Sequence, residues 1–164
     1  MEECRRRLGM VWMGELCNYL AGFEYSIPQF ERLVEQAVKL RMILQLHTEG
    51  DEMKYIMEKF PSATLVFAHF GDDKEYEHIF RRIDLVAAHT NCYLDTSGYG
   101  HDRVGVLEYA VAKIGPDRIL FGSDFTVNDP STVIARIDNA EITVEQKEKI
   151  LWRNLEGLLA KARA

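Results

Sequence analysis

The sequence has no C-x-x-C pair, no surplus of basic charge and no long unbroken apolar run, and each absence removes a class of protein. Its three cysteines, Cys4, Cys17 and Cys92, are odd in number and widely spaced, so spacing gives neither a disulfide framework nor a zinc–thiolate motif. A reducing cytoplasm is the expected compartment. The 20 Lys+Arg against 26 Asp+Glu leave a formal charge of -6, which supplies no drive toward nucleic-acid phosphates. Arg5, Arg6 and Arg7 are too short a cluster to reverse this and read as a solvated helical face. No stretch reaches the ~18 apolar residues of a membrane span. The run after Arg7 imitates a signal peptide but is cut at Glu15 and lacks a cleavage site. What remains is a chain of 164 residues, 47% hydrophobic, read as one domain over 1–164. A domain of this size buries about two thirds of its unfolded surface and needs no staple to fold.

Five short runs are near-continuously apolar: Leu8 to Leu16, Met42 to His47, Thr64 to His69, Cys92 to Asp95 and Arg118 to Asp124. Strands of a parallel sheet covered on both faces read this way. Between them lie groups with helical spacing, beginning at Phe30, Met53, Ile79 and Val104, and a further one from Ile150 to Leu159. Ser26-Ile27-Pro28-Gln29 and Thr143-Val144-Glu145-Gln146 offer capping boxes. Pro61 and Gly115-Pro116 end helices, and a short helix is expected from Pro130. Alternating strands and helices predict an α/β domain of parallel (βα) repeats. A flavodoxin-like doubly wound sheet has the same element count and is the structural competitor.

The polar residues gather where these runs end. Glu15, His47, His69 and Asp124 each close a run, and the remaining run ends in Asp95, Thr96, Ser97 and Gly98. Singly, a strand-end histidine is more often a hydrogen-bonded anchor, and a strand-end acid a helix cap. Together they are a donor set: neighbouring parallel strands lie ~4.8 Å apart, so inward side chains can converge on one ion. Nitrogen and oxygen donors suit zinc, manganese or iron, with zinc the expected metal.

Glu15, His47, His69 and Asp124, within Leu46-His47-Thr48, Ala68-His69-Phe70-Gly71 and Phe121-Gly122-Ser123-Asp124-Phe125, resemble the metal-dependent amidohydrolase superfamily, in its "amidohydrolase 2" TIM-barrel branch. The resemblance covers essentially the whole chain. It implies a partial barrel of about five strands, equivalent to strands four to eight. It also implies metal ligation by Glu15, His47, His69 and Asp124, with Asp124 as the catalytic group that moves a proton. A complete member opens with His-x-His, and no two of the five histidines here are so spaced. A barrel of ~250 residues scaled by five strands of eight gives ~156 residues, close to this length. Residues Glu2 to Arg7 then read as the tail of the preceding helix.

The expected function is metal-dependent hydrolysis of a small ester, amide or lactone through activated water. The alternatives are decarboxylation of an unsaturated acid and a non-catalytic half-barrel that oligomerises. Asn18, Tyr19, Thr96, Ser97 and His101 are candidate substrate contacts. Their plainer readings are a turn for Asn18 and Tyr19, capping of the following helix for Asp95 to Ser97, and a solvated loop for His101. His78 and His89 receive no role, and Met10, Met13, Met53 and Met57 read as core filler. The unpaired strands at the ends of an incomplete sheet predict a homo-oligomer that covers them, with a small molecule as the only other partner.

Overall fold

The protein is described by a computed structural model covering residues 1–48, 50–71 and 75–164. Helix α1 (Glu2–Leu8) leads into β1 (Trp12–Cys17), the short α2 (Asn18–Ala21) and α3 (Pro28–Lys39). Three repeats follow: β2 (Ile43–His47) with α4 (Gly50–Lys59), β3 (Thr64–Phe67) with α5 (Tyr76–Ala87), and β4 (Cys92–Asp95) with α6 (Val106–Ile114). The chain then runs through β5 (Ile119–Leu120), α7 (Pro130–Asp138) and α8 (Val144–Glu148), and a π-helical turn joins α8 to α9 (Asn154–Arg163).

All four strand pairings are parallel, in the order β1-β2-β3-β4-β5. A doubly wound sheet reverses its order at a switch point. Here spatial order follows chain order without reversal, which makes the sheet an arc of a barrel and excludes the competitor.

Strand alternation sorts the core into two layers. Leu44, Leu46, Leu65, Phe67, Cys92 and Leu94 point outward, onto Val34 and Ala37 of α3, Ile56 and Met57 of α4, Ile79 and Ile83 of α5, and Leu107 and Ala110 of α6. Their neighbours Ile43, Val66 and Leu120 face the other way, and there they meet Leu158 and Ala162 of α9. The last helix therefore lies across the inner face, the side that in a closed barrel faces the opposite strands.

Local chemistry sets several boundaries. Thr143 and Gln146 form the expected reciprocal box at α8, and Asp129 caps α7 ahead of Pro130. At α3 the expected box does not form. Ile27 is the N-cap and makes no side-chain bond, because Pro28 occupies the first helical position and leaves Ser26 one residue too early. Leu8 to Leu16 also divides: Leu8 closes α1, Gly9 takes the left-handed conformation, and the strand starts at Trp12. Arg5 is not simply solvated, since its guanidinium donates to the carbonyls of Leu40 and Ala162 and docks α1 on the body. Met53 and Met57 are core, whereas Met10 is exposed. Among the described residues, no helix is long and apolar enough to cross a membrane.

Candidate metal centre

A β-bulge aims Glu15. Met13 pairs with Leu44 and Leu16 with Leu46, so Gly14 and Glu15 together oppose Gln45 alone. Regular alternation from the outward Met13 would send Glu15 outward as well; the additional residue shifts the phase and turns it to the inner face. Gly14 permits this, with φ of 141°, where a Cβ would lie 2.5 Å from the Gln45 carbonyl oxygen. Beyond the bulge Cys17 pairs with His47, so Glu15, Cys17 and His47 share one face. His47 Nδ1 is 2.6 Å from Glu15 Oε1, the Cys17 thiol donates to the same oxygen at 3.4 Å, and His69 Nε2 stands 3.9 Å from it. The bond from His47 holds the Glu15 carboxyl below the usual carboxylate range, outweighing burial, with the nearby His69 and Cys17 acting in the same direction. Burial first, and then the Glu15 charge, push the Cys17 thiol up to about 11.

His69 is held in an unusual conformation from three sides. Its φ is 68°, a region that costs a non-glycine residue roughly 1–3 kcal/mol unless its surroundings enforce it. Its N–H donates to Asp95 Oδ1, its carbonyl accepts from Arg82 Nε at 3.0 Å, and its Nδ1 lies 2.9 Å from Ser97 Oγ. Gly98, itself at φ 56°, lies so close that a Cβ there would collide with the imidazole. Ser97 donates its hydroxyl proton to Asp95, so its oxygen is left to accept from His69 Nδ1–H. The Nε2 lone pair then faces Glu15. The chain of bonds continues, as Gln45 donates to Asp95 Oδ2 at 2.8 Å and Trp12 Nε1 donates to Gln45. Outer partners of this kind fix the tautomer of a metal-binding histidine.

The remaining candidates fall in different places. Asp124 is exposed, at φ 57°, and lines the same cavity of about 410 Å³ as Glu15, Gln45, Asp95 and Ser97, with Leu155 and Leu159 of α9 on its wall. Asn18 donates to the Glu52 carboxylate, and Tyr19 sets its ring edge-on to His47 at 5.2 Å. Thr96 is fully buried, and its hydroxyl extends the β4–β5 ladder by exchanging bonds with the N–H and carbonyl of Gly122. Asp95 to Ser97 do not cap α6, whose N-cap is Gly105; Asp95 instead binds the His69 site. His101 is not a solvated loop residue. It is 4% exposed, its Nδ1 has no hydrogen-bond partner among the described residues, and burial lowers its pKa.

Three groups were not visible as site residues in the sequence. Cys17 has no second cysteine near it in the chain and so carries no motif, yet the structure gathers it with Glu15 and His47, their donor atoms all within 4.8 Å of one another. Arg82 lies buried and donates to the carbonyls of Thr48, Ala68 and His69, tying the ends of β2 and β3; a charge between Ile79 and Ile83 on an apolar helix face is the signal that could have found it. The Tyr25 hydroxyl sits 2.7 Å from the Leu16 carbonyl and 2.9 Å from that of His47, closing β1 on β2.

Sequence and structure comparisons agree with this fold. The amidohydrolase family model (Amidohydro_2) matches residues 7–159. A gamma-resorcylate decarboxylase from Polaromonas sp. is 27% identical over 121 residues, which are 63% of this chain and 36% of that protein. Among solved structures, a dihydroxybenzoic acid decarboxylase from Polaromonas sp., with bound manganese and the inhibitor 2-nitroresorcinol, superposes with a TM-score of 0.71 at 22% identity. That match covers 99% of this chain and 64% of the other. A zinc-bound amidohydrolase from Burkholderia multivorans gives 0.75 at 14% identity, covering 98% and 70%. The chain thus spans about a third of the curated relative it matches.

Proposed function

This chain belongs to the amidohydrolase family (Amidohydro_2), and on that premise we propose that it forms the metal-binding part of a decarboxylase site for a small hydroxylated aromatic acid. The observation that carries the reading is the convergence of Glu15, His47 and His69 on the inner strand ends, with the His69 Nε2 lone pair set by Ser97. The donor set of carboxylate and imidazoles fits a divalent ion such as zinc or manganese. The relatives named above support decarboxylation over hydrolysis of an ester, amide or lactone, which the family match supports only as a coarser class.

Bound at this centre, a divalent ion would supply Lewis-acid charge to orient and polarise an oxygen-bearing substrate. Glu15, His47, His69 and Asp124 are the residues assigned to hold it. Asp124, on the rim of the cavity, is assigned the proton movement: loss of carbon dioxide leaves a pair of electrons on the ring carbon, and a proton must reach that carbon. Asn18, Tyr19, Thr96, Ser97 and His101 were the expected substrate contacts. Of these, Ser97 lines the cavity and Thr96 is spent on Gly122. Homo-oligomerisation belongs to the same proposal, because among the described residues β1 pairs with a strand only on its β2 side.

The test is to load the protein with zinc or manganese and follow carbon dioxide release from 2,6-dihydroxybenzoate, with an ester and a lactone in parallel. Decarboxylation lost in Asp124→Asn supports the reading. Stoichiometric metal with no turnover of any substrate overturns it in favour of a non-catalytic half-barrel. One observation favours that second reading: α9 occupies the inner face, with Leu155 and Leu159 on the cavity wall.

A further inference from the structure

The donor cluster contains a sulfur atom that the oxygen-and-nitrogen reading does not use. Cys17 stands two residues after Glu15 on the same strand, and the bulge puts both on the inner face beside His47. Glu15-Leu16-Cys17 therefore presents two donors at an i, i+2 spacing on a strand, beside a third on the next strand.

The distances suit one small ion. Bonds of ~2.0–2.3 Å in tetrahedral geometry place neighbouring ligand atoms about 3.5 Å apart. Cys17 Sγ lies 3.4 Å from Glu15 Oε1 and His69 Nε2 lies 3.9 Å from that oxygen, while His47 Nδ1, at 2.6 Å, is hydrogen-bonded to it. Cys4 and Cys92 are elsewhere, the latter buried in the outer core, so Cys17 is distinguishable from both. We propose that Cys17 is a ligand of the metal centre, which makes it a mixed sulfur, nitrogen and oxygen site that selects zinc over manganese. The proposal rests on the metal reading of Glu15 and His47. Its physical basis is softness: a thiolate favours zinc, whereas manganese prefers carboxylate, carbonyl and water oxygens.

Cobalt(II) is the probe, titrated into metal-free protein and followed by absorption. A thiolate-to-cobalt charge-transfer band in the near ultraviolet, lost in Cys17→Ser and kept in Cys4→Ser and Cys92→Ser, is the expected result. In competition titrations, Cys17→Ser should lower zinc affinity by at least the ~10-fold that loss of even an outer partner costs, and leave manganese affinity unchanged. Cobalt bound without that band overturns the sulfur ligand while leaving the Glu15–His47 site intact. No cobalt bound at all overturns both. Should Cys17→Ser fail to fold, the unsubstituted protein still decides: zinc should protect Cys17 from alkylation by iodoacetamide and manganese should not, and equal labelling with both ions overturns the proposal.

Discussion

Ser97 Oγ accepts a hydrogen bond from His69 Nδ1 at 2.9 Å, and this contact decides which imidazole nitrogen is presented to Glu15. The serine can act as acceptor because its own proton is committed to Asp95. Ser97→Ala should therefore weaken metal binding by about 10- to 100-fold without removing a donor atom. Isothermal titration of metal-free protein checks this, with a thermal melt to show that the variant is folded.

Metal stoichiometry separates the site histidines from the others. His69→Ala should abolish stoichiometric zinc, measured by plasma mass spectrometry on protein purified without a chelator. His78→Ala, on helix α5, should retain it. Equal losses in the two variants would remove the assignment.

Gly14 is where the backbone and the site meet. Gly14→Ala places a methyl group 2.5 Å from the Gln45 carbonyl oxygen at a φ of 141°, a strain of about 1–3 kcal/mol. The expected outcome is a lower denaturation midpoint together with weaker metal binding. A stable variant with unchanged metal affinity would show that the bulge does not aim Glu15.

His101 gives a pH dependence of known sign. Burial lowers its pKa, so the folded state favours the neutral ring, while the unfolded chain protonates near ~6.5. Its contribution to stability is complete above that value and is lost as pH falls through the lower folded value. Urea denaturation between pH 7.5 and 5 should show stability falling, and His101→Gln should flatten part of that slope.

The helix across the inner face can be tested by truncation of one side chain. Leu158 is 6% exposed against Ile43, Val66 and Leu120, and Leu158→Ala should cost about 2–5 kcal/mol. Sedimentation velocity on the unsubstituted protein addresses the open side of β1: a species larger than a monomer at micromolar concentration is expected, and a monomer would remove the proposed self-association.

Strand positions were legible because parallel strands buried on both sides are apolar throughout, and Cys92 to Asp95 matched to the residue. The orientation of Glu15 was not, because period-two alternation from Met13 points it the wrong way, and a bulge leaves no mark beyond a glycine. Likewise, the pairing of Ser97 with His69 spans 28 residues and depends on how β3 and β4 end. Helical periodicity marked the apolar side of α9 but carries no information about which face of the sheet it covers. Arg82 was missed, although a charge between Ile79 and Ile83 on an apolar helix face marks a side chain that must find buried partners, here the carbonyls of Thr48, Ala68 and His69.

The placement of α9 also bears on how the chain is made. Synthesis runs from the N-terminus, and β1 to β5 with their outer helices are complete before Asn154–Arg163 exists. Until α9 leaves the ribosome, Ile43, Val66 and Leu120 have no partner from it, and the nascent sheet presents an apolar surface to any other chain nearby. A chain cut before Asn154 would keep β1 to β5 and be sticky on one side.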